Sequence, residues 1–247
     1  MAPRLFDNTR RLLDLIAEEG PLPTTRLATA LGMPRSTVIR LVEALVDIHL
    51  LTTLPDGTTD LSARWLALAD AACAAREEWT QARSALQQLA EETGCTTTLC
   101  VYCDGAVMCL DWIRGRANEV LQVKPGRSLP PHAGAEGRSI LSALPADELE
   151  HVMAGAPFDS LTPRTMITAE ELAGDIARSR RQGYTLSFDD AWPGIGALAA
   201  PIKDPICGQL GTIAVSSTSD ELLVRATSWS QALLSVVATL DRPDSLT

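Results

Sequence analysis

The stretch ATALGMPRSTVIRLVEALV, residues 28–46, decides how the N-terminal third of this chain folds. An apolar-patterned segment stops at Gly32, and two residues later the chain restarts at Pro34 with Arg35, Ser36 and Thr37. Val38, Leu41, Val42, Leu45 and Val46 then recur at i, i+3, i+4, i+7 and i+8, which is one buried helix face. Pro34 suits the first helical turn, where its missing N–H is no loss. The break at Gly32 therefore reads as the turn of a helix-turn-helix, which sets two helices at a steep angle. With one face buried, the second helix offers Arg35, Ser36, Thr37 and, one turn on, Arg40. These side chains reach phosphates and base edges in a major groove. The free N–H groups of that first turn add a phosphate site. Thr24 and Thr25 open the preceding helix and complete the candidate DNA-binding set, with Thr24 as its cap.

Working outward, TRRLLDLIAEE (9–19) carries Leu12, Leu13, Leu15 and Ile16 on one stripe and predicts an amphipathic helix ended by GPLP (20–23). On the other side, HLLTTLPDGTTDLS predicts a short hairpin around Pro55-Asp56-Gly57, the wing. Residues 1–61 are thus expected to form a winged helix-turn-helix. The same pattern also suits a packing or protein-interaction module. Six arginines face eight acidic residues through residue 60. DNA binding therefore requires the cations to gather on one face.

Composition narrows the classes further. A chain of 247 residues at 46% hydrophobic and 21% charged has material for one large domain or two small ones. A net charge of −10 argues against a surface that attracts polyanions everywhere, while leaving room for one local basic face. No apolar run reaches spanning length, and the start MAPRLFDNTRRLLDLI is too charged for a signal peptide. The expectation is a cytoplasmic protein with its six cysteines mostly reduced and no membrane partner. His49, His132 and His151 are not spaced as a metal motif, and no cofactor is expected.

Residues 62–93, rich in Ala, Leu, Arg, Glu and Gln, predict a linker helix. Its Trp65 and Trp79 need burial, against a partner chain or within their own. From residue 94 to 247 the pattern mixes strands and helices. CTTTLCVYC and AVMCLDW read as a hairpin through Asp104-Gly105, AEGRSILSALP as a short helix, and YTLSF, GALAAPI and GTIAVSS as strands before a last long helix. That order gives an α+β fold with an antiparallel sheet.

Several motifs in one order carry a family resemblance. LGMPRSTVIRLVEAL, LAEETG, GRSLPPHAGAEGRSILSALP, LTPRTMIT, RRQGYTLSFDDAWPGIGALAAPI and GTIAVSS resemble the IclR family of bacterial transcriptional regulators over nearly the full chain. The resemblance implies a winged helix-turn-helix, a linker helix and a C-terminal GAF-like effector-binding domain. It implies a double-stranded DNA operator, regulation by a small molecule, commonly an organic or aromatic acid, and homodimers that often pair into tetramers. By the same resemblance, Leu121, Leu129, Ala135, Glu136, Ser187, Asp189, Ile195, Ala197, Ala214 and Ser216 line the effector pocket. Two positions depart from the family pattern. Arg138 replaces a lysine, and Glu136 stands where a small residue is usual. Turned inward, Glu136 would repel an anionic ligand, whereas turned outward it merely favours a helix start. The rest of the lining is apolar with one hydroxyl, so the expected effector is largely apolar, neutral or carrying an amine.

Two other chemistries were open at the level of sequence. If Asp104-Gly105 is a two-residue loop, Cys100 faces Cys109 across the hairpin, either as small hydrophobes or as a thiol switch. The CxxC spacing of Cys100 and Cys103 puts them on opposite faces of a regular strand, which is unsuited to one metal ion. An enzyme reading rests on a Glu136–Asp189 carboxylate pair or on His132. No nucleophile–base spacing supports it, and the expectation is a protein without catalysis.

Overall fold

The computed structural model describes residues 4–74, 77–103, 105–116, 123–203 and 210–240. The chain forms two compact units, Met1–Arg76 and Glu77–Thr247. Among the described residues no helix is long and apolar enough to cross a membrane.

The first unit contains α1 (Arg4–Glu19), α2 (Thr24–Leu31), α3 (Arg35–Asp47), β1 (Leu51–Thr53), β2 (Thr59–Leu61) and α4 (Arg64–Ala74). The periodic apolar positions meet as expected. Leu12, Ile16, Leu27, Leu31, Val38, Leu41, Val42 and Leu45 form one buried cluster with Leu22 and Leu51. Gly32 sits in the left-handed region at φ 64°, and its N–H closes α2. That conformation favours glycine and lets the chain turn sharply into α3. Two caps differ from expectation. Pro34 is the N-cap of α3 rather than part of its first turn, and Thr24 is the first residue of α2, behind Pro23 as N-cap. Neither proline offers a side-chain cap; each simply fixes an extended entry into its helix. The wing is held by Asp56, whose carboxylate accepts from the Thr58 N–H at 2.9 Å and the Thr58 hydroxyl at 2.6 Å.

The expected linker helix is described in two helical stretches, α4 in the first unit and one beginning at Glu77 in the second, with residues 75–76 outside the described residues. In α4, Trp65 donates from Nε1 to the Leu50 carbonyl at 2.7 Å and Arg64 donates to the Ile48 carbonyl at 3.0 Å. Trp65 is therefore half-buried on its own unit. The side chain of Trp79 lies outside the described residues. The helix that carries Trp79, α5 (Glu77–Thr93), buries Ala82, Ala85, Leu86 and Leu89 in the core of the second unit.

The second unit continues with β3 (Thr96–Cys103), β4 (Ala106–Ile113), β5 (Ser128–Leu129), α6 (Gly134–Ala143), α7 (Ala146–Met153), α8 (Ala169–Gln182), β6 (Thr185–Phe188), β7 (Ile195–Lys203), β8 (Leu210–Thr218) and α9 (Ser219–Leu240). Its antiparallel sheet has the order β5-β4-β3-β8-β7-β6. Strand alternation separates two faces. Leu99, Val101, Leu198, Ala200, Ile213 and Val215 pack against α5 and α9. Their neighbours Thr98, Cys100, Ala197, Ala199, Thr212 and Ala214 face α6. This α6 face positions the candidate ligand site.

Candidate DNA-reading face and ligand cavity

On α3, Val38 is fully buried while Arg35, Ser36, Thr37 and Arg40 are exposed. The first turn of the helix is thus free for a partner. Thr25 is exposed and Thr24 half-buried at the start of α2. A groove of about 330 Å³ runs beside this face, lined by Ser36, Thr37, Arg40, Met33, Leu41 and Ala44 of the helix-turn-helix and by Leu5 and Asn8 of α1. Sequence reasoning missed Asn8, because a polar residue on the outer side of a helix carries no periodic signal.

The sheet register builds the floor of the second site. Thr96 pairs with Ser216, Ser216 with Ala197, and Ala197 with Ser187. One row across four strands therefore presents three hydroxyls and a methyl. The next row holds Thr98, Ala214 and Ala199. Ala135 of α6 packs onto Ala197, Ala199 and Ala214, so the helix comes close to the sheet. It is pinned from the other side as well: a Cβ at Gly137 would lie 2.6 Å from the Pro131 carbonyl oxygen.

Between helix and floor lies a cavity of about 10 Å³, lined by Glu136, Thr96, Thr98, Ser187, Ser216, Ile195 and Ala197, with Val123, Gly134, Ala191 and Trp192. That is space for about one water. Of the expected lining, Glu136, Ser187, Ile195, Ala197 and Ser216 are at the cavity, with Ala135 and Ala214 packed beneath it. Leu129 lies beside Gly134 in the adjoining apolar cluster. Leu121 lies outside the described residues. Asp189 departs from expectation. It holds its own loop together, accepting from the Gly194 N–H and the Ser219 hydroxyl at 2.7 Å each and pairing with Arg164 at 3.3 Å. The Ser219 hydroxyl, ahead of the Gly194 amide and Arg164, keeps its carboxyl below the usual range. Asp189 and Glu136 therefore do not form a working carboxylate pair.

Glu136 faces inward. It is 2% exposed, and the Thr98 hydroxyl donates to its Oε1 at 3.4 Å. Burial pushes its carboxyl above the usual range, against the pull of its own backbone N–H, Thr98 and Arg138. Arg138, 1% exposed, does not turn to it. Its Nε donates to Asp175 at 2.7 Å, a terminal nitrogen pairs with Asp190, and another donates to the Leu186 carbonyl. Asp190 also accepts from Ser187 on the floor. This buried network was not legible, since its members are 37 and 48 positions apart along the chain.

The remaining candidates are structural. His132 stacks on Phe158 at 4.8 Å and its Nε2 bonds the Asp159 carbonyl at 2.9 Å. Cys100 does face Cys109, as the hairpin arithmetic requires; the loop residue Asp104 lies outside the described residues. Both thiols are buried, and the Cys109 thiol together with burial raises Cys100 well above the usual thiol range. A protonated, enclosed thiol is a poor nucleophile, which disfavours a switch.

An exposed first turn of α3 backed by an aliphatic core, carried with an α+β unit whose cavity has a polar floor, is the arrangement expected of a ligand-responsive DNA-binding regulator. Residues 7–55 match the IclR helix-turn-helix domain, and residues 75–240 match the bacterial transcriptional regulator IclR C-terminal domain. The chain belongs to the IclR family of bacterial transcriptional regulators. It is 27% identical over 191 residues to the HTH-type transcriptional regulator KipR of Bacillus subtilis, covering 77% of this chain and 76% of that protein. Its fold is similar to the IclR transcriptional regulator from Alicyclobacillus acidocaldarius, with a TM-score of 0.85 at 21% identity over 97% of this chain and 98% of that one. It is also similar to an IclR homologue from Microbacterium hydrocarbonoxydans complexed with 4-hydroxybenzoate, with a TM-score of 0.82 at 17% identity over 96% and 97%.

Proposed function

We propose that this regulator seats α3 in the major groove of a double-stranded operator and that a small molecule in the α6 cavity changes its DNA affinity or assembly. One observation carries the reading. The exposed first turn of α3, with Arg35, Ser36, Thr37 and Arg40, stands on a wholly apolar buried face. Thr24 and Thr25 at the start of α2 serve the phosphate backbone. The protein works in the cytoplasm as a homodimer or a dimer of dimers, and two half-sites lie a whole number of helical turns apart. The effector is small, largely apolar, and held over the Thr96–Ser216–Ala197–Ser187 row. The 4-hydroxybenzoate complex of the Microbacterium homologue supports the view that this fold takes small organic molecules. The cavity must widen to admit one, because its present space is about 10 Å³.

A mobility-shift assay on DNA flanking the protein's own gene tests the reading. Retarded DNA, lost on substituting Arg35 and Arg40, is the expected result. Sedimentation checks the assembly, and a strict monomer with and without DNA would overturn it. Product formed from small esters or glycosides would overturn the absence of catalysis.

A further inference from the structure

The charges buried around α6 do not balance. Arg138 is engaged by Asp175, Asp190 and the Leu186 carbonyl, and Arg178 also serves Asp175, at 3.1 Å. Glu136 is the carboxylate left over. Among the described residues it has no ion-pair partner, and its hydrogen bond from Thr98 is long at 3.4 Å. A carboxylate held out of water without a cation is costly. Here it is also aimed into a cavity.

The environment favours a positive ligand group in three ways. First, the start of α6 would ordinarily attract an anion, but Glu136 already places its own carboxylate there, with Oε2 3.4 Å from where a Cβ on Gly134 would stand. The position where a ligand carboxylate would sit is filled by the protein's own. Second, among the described residues no Lys, Arg or His side chain lines the cavity. Third, the neighbouring groups are hydroxyls of Thr98, Ser187 and Ser216, which accept N–H bonds, and the indole of Trp192, whose face attracts cations.

We propose that the effector of this protein is a small organic amine, bound as its ammonium by Glu136 with help from Thr98 and Ser216, its apolar body lying against Ile195, Ala197 and Trp192. The proposal rests on the reading of the α6 cavity as the effector site. Matched acids are excluded by the same charge that holds the amine.

The test uses the full chain and two matched series: isobutylamine, isobutyramide and isobutyrate, then benzylamine, benzamide and benzoate. Binding is followed by calorimetry and by thermal shift. The amine of at least one series should bind most tightly and its acid most weakly, and Glu136→Gln should weaken the amine at least tenfold. Tightest binding by the acids, no binding by either amine, or undiminished amine affinity in a folded Glu136→Gln protein would each overturn it. The amine-against-acid order on the wild type needs no variant, so a Glu136→Gln protein that fails to fold leaves the test intact. Ala197→Phe, which fills the cavity, separates this idea from the one beneath it. Acids that bind wild type but not Ala197→Phe sink the amine and keep the cavity. Probes that bind both proteins equally place the ligand site elsewhere and sink the two together.

Discussion

The two units of this chain put their arginines to opposite uses. In the first unit Arg35 and Arg40 stand exposed above a buried cluster of aliphatic side chains. In the second, Arg138 is 1% exposed and tied to two carboxylates that are themselves buried. An exposed cation on an apolar base is free to meet a partner and contributes little to folding. A buried one is part of the fold, and removing it leaves its partners charged and dry. Substitutions should therefore separate cleanly: stability effects in the second unit, DNA-affinity effects in the first.

The strongest way to break that contrast is Arg138→Ala. It strands Asp190 in the interior and leaves Asp175 with Arg178 alone, and a broken buried pair costs about 3–5 kcal/mol. Urea denaturation followed by tryptophan fluorescence should show a loss of that size. Adding Asp175→Asn and Asp190→Asn should recover part of it. A loss under about 1 kcal/mol, the size of an exposed pair, would mean the network is weaker than its burial implies.

Next is Gly137→Ala. The new methyl would need the Pro131 backbone to move, because the carbonyl oxygen would be 2.6 Å away. Overpacking of this kind costs about 1–3 kcal/mol. Gly174, exposed in α8 with open space around it, is the control. Gly174→Ala should raise the melting temperature slightly, through the unfolded chain and helix propensity.

The first unit should respond through DNA alone. Arg35→Ala and Arg40→Ala should leave the melting temperature within experimental scatter. A lost base contact should cost about 1–3 kcal/mol of operator affinity. A lost phosphate contact should lower the salt slope of binding by about one. Titrations at several salt concentrations distinguish the two roles. Wild-type binding by both variants would show that α3 is not the reading helix.

This division also explains what the sequence could and could not tell. The first unit was legible because its signals are local. A spacing of three and four residues fixes the buried face of α3, and whatever is polar on its first turn must be outside. Only the caps were misplaced, where Pro23 and Pro34 precede their helices by one residue. The hairpin partner of Cys100 was legible for the same reason, since a short turn fixes register by counting. In the second unit the pocket positions came through family resemblance, and no periodicity indicated them. Asp190, not Asp189, reaches the floor at Ser187, a difference of one residue in a loop where Asp189 adopts φ 60°. Sequence pattern does not resolve which of two adjacent aspartates turns inward. Nor could it show that Arg138 turns away from Glu136, because Asp175 and Asp190 meet it through tertiary packing.

The smallest expected effect concerns one proton, and it tests whether Glu136 is the uncompensated member of the buried set. Its carboxyl is raised above its ordinary 4.5, with burial the largest cause. The folded protein therefore holds the proton more tightly than the unfolded chain does. Below the ordinary value both states are protonated and Glu136 imposes no penalty. As the pH climbs through the raised folded value, the unfolded chain has already released its proton while the folded state must ionise in a dry site. Stability should fall over that interval and then level off. Asp189 should slope the other way, because its loop holds it ionised; its contribution is present above 3.8 and lost as the pH falls through its lowered value. Glu136→Gln keeps the shape and removes the titration. Urea midpoints of wild type and Glu136→Gln, compared from mildly acidic to mildly alkaline buffer, should converge at the acid end and part in favour of the glutamine at the alkaline end. Parallel curves would mean that Glu136 ionises as freely inside as outside, and would place a cation or water beside it that relieves its burial.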